Sequence, residues 1–309
     1  MKQIASLLAA VVLLASCQQY DKTKSGMAYK KIKSGSAVKL KQGQIMKFDI
    51  EIKVSPKDTV WSSTLGHIPA YDRYDTARLG KYNFTELFPM AHIGDKFKFQ
   101  LSVDSLKKQG QLEYNKIFVK GGTIDGTVEI LKAFDSEQEA TADYTKETDV
   151  EKARETKALQ DYATKKGLKV QQTKNGALVV VTTPGDAQKA DSGKQVSVMY
   201  KGYTVDGKEF DSNMDTAAHK PPFTFVVGTH GAIQGWDEGL PYFGKGGKGK
   251  LLVPGMLAYG PRGSGPIPAY GNLVFDIEVV DVTTPPPPAP APPQVMPLMP
   301  KGNPQAPKK

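Results

Sequence analysis

The side chains that could form covalent intermediates or hold metal ions are few and poorly placed for either role. The segment GSG at 263–265 lacks the G-x-S-x-G pattern of a nucleophile elbow. The segment GKGGKGK at 244–250 lacks the Ser or Thr that follows the lysine of a phosphate-binding loop. The chain has four histidines, and none is spaced from another as metal ligands are. They are His67, His92, His219 and His230. The sequence therefore predicts a protein without covalent catalysis, metal or cofactor.

Aromatic side chains are the stronger candidates, and one of them has an unusual position. Trp236 is one of two tryptophans, and it lies in GAIQGWDEGLP at 231–241, a short segment rich in glycine. Further aromatic residues stand in ordered segments on both sides of it. These segments are VSVMYKGYTVDGKEFDSN, PPFTFVVG, GKGKLLVPGMLAYG and GPIPAYGNLVFDIEVVDV.

In this order, the segments resemble the FK506-binding-protein (FKBP) family of peptidyl-prolyl cis–trans isomerases over residues 195–282. The resemblance implies an antiparallel sheet wrapped on a short helix. The tryptophan of that helix forms the floor of an apolar pocket for a substrate proline ring. Glycines beside it let backbone and ligand approach closely.

Matched residue by residue, the resemblance assigns roles to side chains of this chain. Asp211 is the pocket carboxylate, while the backbone N–H of Ile233 and the hydroxyl of Tyr259 bond carbonyl groups of the peptide. The implied catalytic residues are Tyr200, Phe210, Asp211, Ile233, Trp236, Tyr259 and Phe275. The implied substrate-binding residues are Phe223, Ala232 and, on the flap loop, Ile267. Replacing Asp211 or Phe275 is expected to weaken activity without unfolding the chain.

The chemistry of X–Pro isomerisation suits these residue types. Rotation about the bond breaks amide resonance, at a cost of ~18–20 kcal/mol, and no bond to the enzyme is needed. An apolar pocket favours the twisted amide, which is less dipolar than the planar one. The resemblance also implies an FK506-like macrolide as a ligand. The alternative function is an FKBP-shaped chaperone or adaptor that binds apolar-Pro segments with little turnover.

Four departures from the family pattern bear on substrate preference, and one is the segment SNMDTAAHKP before Phe223, which is longer than usual. Met199 stands where the family often has a histidine before the first pocket tyrosine. No arginine follows Asp211, so a carboxylate–arginine pair is not expected there. The flap PRGSGPIP is compact and has no aromatic residue or histidine at its tip.

The N-terminus predicts export and lipid anchoring. Lys2 is followed by the apolar run IASLLAAVVLLAS, which is too short to span a membrane and suits a signal peptide. The run ends in LASC, which resembles the lipobox of bacterial lipoproteins, so residues 1–17 form a signal peptide and Cys17 is acylated. Gln18 and Gln19 lack the aspartate that holds some lipoproteins in the inner membrane. The expected location is the bacterial cell envelope, at the outer membrane.

The rest of the chain divides by composition. Residues 18–26 form a tether. In residues 27–135, apolar and polar residues alternate as they do in half-buried strands. Residues 136–167 form a helical linker in two pieces, because Ser136 and Glu139 fit a capping box and Gly167 fits a helix end. Residues 168–194 contain strands, 195–282 form the isomerase domain, and 283–309 form a proline-rich disordered tail.

An internal repeat predicts a second domain of the same α+β fold. In the alignment of the two halves, the segment 93–102 matches 245–254, Phe84 matches Trp236, and Gly126 matches Phe275. A gapless placement of KDTVWSS over GKEFDSN puts Trp61 opposite Phe210, Ser62 opposite Asp211, and Glu51 opposite Tyr200. Residues 27–135 therefore resemble a degenerate FKBP-like domain that has lost its pocket.

Charge argues against nucleic acid as a partner. The net charge of +9 is carried outside the isomerase segment, because residues 196–282 hold 7 Lys and Arg against 9 Asp and Glu. A basic groove with interleaved aromatic residues is not seen. The expected partners are unfolded or folding proteins that contain proline. The pairs Met296-Pro297 and Met299-Pro300 raise a third hypothesis, in which the tail occupies the pocket.

Overall fold

The segments with alternating apolar and polar residues all form β-strands, and these assemble into two antiparallel sheets. The computed structural model describes residues 20–215 and 220–285. The predicted signal peptide with Cys17, as well as His219 and the predicted tail beyond Pro285, lie outside the described residues. The chain divides into two units, residues 1–154 and 155–309. The predicted α+β class with two antiparallel sheets is confirmed.

The first unit holds a seven-stranded sheet with its core on one face. The order is β1-β2-β6-β7-β3-β4, and β5 pairs with β3. The strands are β1 (Asp21–Lys22), β2 (Ala28–Lys33), β3 (Ile45–Val54), β4 (Thr59–Ser63), β5 (Ala70–Arg73), β6 (Lys96–Ser102) and β7 (Thr123–Phe134). Helix α1 (Val103–Lys108) and 3-10 turns at Thr76–Arg78 and Phe84–Met90 complete the unit.

The second unit repeats this arrangement. Its order is β8-β9-β13-β14-β10-β11, and β12 pairs with β10. The strands are β8 (Gln171–Gln172), β9 (Leu178–Thr183), β10 (Gln195–Thr204), β11 (Glu209–Ser212), β12 (Phe223–Val226), β13 (Lys248–Val253) and β14 (Leu273–Thr283). Because β9 pairs along β13, the strand-containing segment 168–194 belongs to the same sheet as residues 195–282. A fragment that started at residue 195 would lack two strands.

One helix, α2 (Glu137–Lys165), runs across the division between the units. The backbone N–H of Glu139 donates to Ser136 Oγ at 3.2 Å, as the capping box predicted. At the other end, Gly167 has φ +66° and Leu168 N–H bonds the carbonyl of Ala163, which is a Schellman motif. The prediction of two pieces was wrong, because no proline or glycine interrupts the 29 residues.

Helix α2 is polar over most of its surface. Leu159 and Ala163 are its fully buried apolar residues in the second unit, where they pack with Leu178, Leu252 and Val274. Within the described part of the chain, no helix combines the length and the apolar character that a membrane crossing requires.

The two sheets match strand for strand, down to their irregularities. A β-bulge interrupts β3 after Lys47 and β10 after Ser197. These bulges align Ile50, rather than Glu51, with Tyr200, so that part of the gapless placement was wrong by one residue. The reason is that the β3–β4 hairpin holds one residue more: Lys53 pairs with Val60, seven residues on, whereas Tyr203 pairs with Glu209, six residues on.

Candidate functional site

A cavity of about 480 Å³ opens beside helix α3 (Gln234–Gly239) in the second unit. Strands β10, β11, β12 and β14, the helix and the loop after β13 all contribute to its wall. The structure brings together nine of the residues predicted for the site: Tyr200, Phe210, Asp211, Phe223, Ala232, Ile233, Trp236, Tyr259 and Phe275.

The short helix can present Trp236 to the cavity because its backbone lies against strand β13. A Cβ atom on Gly235 would lie 2.3 Å from Val253, and one on Gly239 would lie 2.5 Å from Leu251. Any larger residue at either position would push the helix away from the sheet. The glycines around Trp236 therefore serve the contact between helix and sheet, and this contact fixes the height of the ring in the cavity. Only 3% of Trp236 is exposed.

Aromatic rings stand nearly perpendicular to the indole and form the walls. The ring centroids of Tyr200 and Phe275 lie 5.2 and 5.3 Å from that of Trp236, at interplanar angles of 81° and 90°. Phe210 packs edge-on against Phe275 at 5.8 Å. Such edge-to-face pairs contribute roughly 0.5–1.5 kcal/mol beyond their buried area, so the walls hold their shape without a ligand.

Asp211 is the one carboxylate among the described residues that line the cavity. The hydroxyl of Tyr200 donates a hydrogen bond to the carboxylate of Asp211. The Nζ of Lys220 lies 3.8 Å from the same carboxylate, at an exposed position. Because no arginine follows Asp211, the carboxylate instead fixes the orientation of the Tyr200 ring, and it remains exposed to solvent on its other side.

The buried Nε1 of Trp236 has no acceptor among residues 20–215 and 220–285, and the same holds for the two hydrogen-bond donors that the family pattern predicts. One is the backbone N–H of Ile233, which precedes α3 in an extended conformation (φ −65°, ψ 147°). The other is the hydroxyl of Tyr259, a residue that is 39% exposed. Both donors were predicted from the family pattern. Their arrangement suits a ligand that has carbonyl groups on either side of an apolar ring.

Both tyrosine hydroxyls stay protonated in mildly alkaline solution. Burial, and then the hydrogen bond to Asp211, raises the pKa of Tyr200 above its ordinary value. Burial and the nearby charge of Asp211 raise the pKa of Tyr259. The ordinary tyrosine pKa is about 10, so a raised pKa keeps the neutral, donating form dominant below that pH.

We therefore expect kcat/KM for a proline peptide to stay constant from about pH 7 to about pH 9.5, because the hydroxyl donors do not ionise in that range. The measurement is the initial rate at fixed ionic strength, with circular dichroism at each pH to confirm folding. A decline that begins below pH 9 in the folded protein would contradict the assignment of the two tyrosines.

Two of the predicted site residues are more deeply buried than expected. Ile267 is 5% exposed and packs in the core, so it does not lie among the residues that line the cavity. The flap folds back on itself through a bridge between Ser264 and Ile267, and this turns the side chain inward. Phe275 lines the cavity but is only 3% exposed and also belongs to the core. Its replacement is therefore expected to destabilise the unit, contrary to the prediction from sequence.

Sequence reasoning missed four residues of the cavity wall, which are His230, Gly231, Gln234 and Ala258. His230 adopts a left-handed conformation (φ +59°) in the turn before α3, which places it at the rim. Its Nδ1 lies 3.9 Å from Asp237 Oδ2. No spacing rule marks a residue in such a turn. The only available signal was adjacency to the predicted Ala232 and Ile233.

The fold and the cavity define a protein class: an antiparallel sheet around a short helix, with a non-covalent site for a small apolar ring between carbonyl groups. The family model described as FKBP-type peptidyl-prolyl cis-trans isomerase matches residues 186–280. FK506-binding protein 2 of Debaryomyces hansenii is 43% identical over 106 residues, which are 34% of this chain and 76% of that protein. The chain belongs to the FKBP-type peptidyl-prolyl cis–trans isomerase family.

Bacterial relatives show the same similarity. The FK506-binding protein of Neisseria meningitidis serogroup A is 38% identical over 99 residues, 32% of this chain and 88% of that protein. The FKBP-type peptidyl-prolyl cis-trans isomerase FkpA of Escherichia coli K12 is 36% identical over 154 residues. That match covers 49% of this chain and 54% of FkpA, so the chain spans about half the length of this relative.

Proposed function

We propose that this protein catalyses cis–trans isomerisation of X–Pro bonds in unfolded or folding proteins of the bacterial cell envelope. The observation that carries the proposal is the aromatic cavity over Trp236, with the donors of Ile233 and Tyr259, which have no acceptor among the described residues. The names of the relatives, which include an isomerase and FK506-binding proteins, agree with it.

In the proposed mechanism, the proline ring lies on Trp236 and is enclosed by Tyr200, Phe210 and Phe275. The Ile233 N–H and the Tyr259 hydroxyl each hold a carbonyl group of the peptide, so that one side of the X–Pro bond is fixed while the other rotates. The cavity stabilises the twisted amide because that state is less dipolar than the planar one. Asp211 acts through Tyr200, whose ring it orients. Phe223 and Ala232 bound the entrance for neighbouring residues of the peptide.

The test is a peptide isomerisation assay on the protein without residues 1–17. We expect acceleration of cis-to-trans conversion in Leu-Pro and Phe-Pro peptides, and competition by FK506 for the same site. Tyr259→Phe is expected to lower kcat/KM by about 2- to 10-fold, because it removes one hydrogen bond worth roughly 0.5–1.5 kcal/mol. No acceleration at micromolar protein would overturn the proposal.

The second candidate function is capture of apolar-Pro segments with little turnover. The same cavity would bind the peptide in that case, so binding alone does not separate the two functions. Titration of tryptophan fluorescence with a Leu-Pro peptide gives its Kd, and the isomerisation assay gives the rate. Tight binding without acceleration would favour capture over catalysis.

We further infer that the first unit is a degenerate copy without isomerase activity. Gly126 stands there at the position of Phe275, and a Cβ on Gly126 would lie 2.1 Å from the Phe99 ring. Phe99 thus fills the space above this strand and stacks on Phe84, which stands at the position of Trp236 (5.6 Å between centroids). Phe99 and Phe84 therefore occupy the space that a proline pocket would need in this unit.

We propose that Cys17 carries acyl chains that anchor the protein at the outer membrane. The support is the LASC sequence before the only cysteine of the chain. Labelling of cells with a palmitate analogue is expected to mark the full-length protein, and Cys17→Ser is expected to abolish the label and release the protein from the membrane fraction. Retention of Cys17→Ser in that fraction would contradict acyl anchoring.

A further inference from the structure

The first unit keeps an exposed tryptophan at the position where the second unit has a wall of its cavity. Strand β4 pairs with β3 so that Ser62 lies opposite Ile52 and Val60 lies opposite Lys53, which leaves Trp61 as the extra residue of a β-bulge. Phe210 is the extra residue of the equivalent bulge in β11. Bulges often re-aim a side chain next to a functional site.

The two aromatic residues point to different places because of the neighbouring strand. Phe210 lies over Gly202, where an added Cβ would come within 2.6 Å of the Phe210 ring. The residue of the first unit that corresponds to Gly202 is Ile52, whose side chain occupies that space. Trp61 is consequently turned outward, is 53% exposed, and packs edge-on against Phe118 at 5.7 Å.

Apolar side chains continue around this tryptophan and form what we call the Trp61 surface (Val60, Trp61, Ile117 and Phe118). Val60 is 52% exposed and Ile117 is 45% exposed. Next to them lies a groove of about 250 Å³ between the turn after β3 and residues 116–119. Such a volume suits a single apolar side chain. Clustered exposed apolar residues of this kind mark interaction sites more often than isolated ones do.

Charge and backbone indicate what the surface accepts. The groove is flanked by Lys57 and Lys116, and neither has an ion-pair partner in the described part of the chain. Residues 18–135 hold 20 Lys and Arg against 13 Asp and Glu, so the surroundings are basic. Strand β4 is at the end of the sheet order, with a free edge that an extended chain can pair with.

We propose that the Trp61 surface captures extended apolar segments of unfolded polypeptides that carry acidic residues beside the apolar ones, without a requirement for proline. This function goes beyond isomerisation, because Phe99 and Phe84 fill the place that the cavity has in the second unit. The surface would hold a client polypeptide independently of the catalytic site, and it would raise the local concentration of the client's X–Pro bonds.

The test uses the chain from residue 18 and two fluorescent, proline-free peptides, Asp-Phe-Leu-Phe-Asp and Lys-Phe-Leu-Phe-Lys. The wild-type protein is expected to bind the acidic peptide more tightly. Trp61→Ser is expected to weaken that binding about tenfold or more, as for a central aromatic anchor. Lys116→Glu is expected to reverse the preference between the two peptides. Val280→Ser, at an exposed apolar position of the second unit, is the matched control and should change neither.

The Leu-Pro isomerisation rate separates this proposal from the proposed function. Trp61→Ser is expected to leave kcat/KM unchanged, so loss of acidic-peptide binding with intact peptide catalysis supports capture by the Trp61 surface. Unchanged binding in Trp61→Ser, or equal binding of both peptides by the wild type, overturns the proposal. Dimerisation that depends on Trp61 would show a second copy as the occupant, and a tenfold gain in binding when residues after 285 are deleted would show the tail; either result also overturns it.

Discussion

Replacing Trp236 with alanine is expected to lower the free energy of unfolding by about 3–5 kcal/mol and to abolish isomerase activity. The ring is 3% exposed and contacts Tyr200, Phe223 and Phe275, so its removal leaves a large void under the site. Denaturant unfolding, followed by circular dichroism, measures the first effect, and the Leu-Pro peptide assay measures the second.

Because the alanine variant combines both effects, Trp236→Leu is needed to separate them. Leucine retains an apolar floor but not a flat ring, so we expect a folded protein with kcat/KM reduced by about tenfold, equivalent to ~1.4 kcal/mol. Trp61→Ala is the matched control for the loss of an indole. Since Trp61 is 53% exposed, its replacement should change stability by roughly 0.5 kcal/mol or less. A folded Trp236→Leu protein with the wild-type rate would show that the ring is not the floor of the site.

The second large effect is expected from breaking the hydrogen bond between Tyr200 and Asp211. A hydrogen bond to a charged group contributes roughly 1.5–3 kcal/mol, so Asp211→Ala and Tyr200→Phe should each lower kcat/KM by about 10- to 100-fold. The double variant should lose little more than either single variant, because both remove the same interaction. The measurement is a double-mutant cycle on kcat/KM with a Leu-Pro peptide.

The matched control for this cycle is Asp211→Asn, which keeps an acceptor for the Tyr200 hydroxyl but removes the charge. It should retain more activity than Asp211→Ala. All of these variants should remain folded, because Asp211 is exposed, although those that lose the hydrogen bond should unfold at a lower denaturant concentration than the wild type. Fully additive losses in the double variant would mean that Asp211 acts on the substrate directly and not through Tyr200.

Much of the cavity could be predicted from the sequence because the segments that build it are local. Trp236, Ile233 and Ala232 lie within five residues of one another, and Tyr200, Phe210 and Asp211 come from one hairpin. The order of these segments was enough to predict which strands and helix carry them. The burial of Ile267 was not predicted, because the sequence does not mark the bridge through which the flap folds back.

The burial of Phe275 also changes the expected stability of its variants. A residue on β14 can line a cavity and fill a core at once, and only its neighbours on β10 and β13 decide how much of it is exposed. The predicted alignment of Glu51 with Tyr200 was wrong for a related reason. One extra residue in a turn shifts the register, and a shift of one residue exchanges the two faces of a strand.

By itself, the sequence determined the strands, the family pattern around Trp236 and the doubling of the fold, because alternation and glycine placement are properties of short segments. The tertiary structure decided which aromatic residues enclose a cavity and which are left outside. Phe210 and Trp61 occupy equivalent bulges, yet one lies over Gly202 and the other is turned outward beside Ile52. The physical reason is steric: the space available to a ring depends on the side chain of the neighbouring strand.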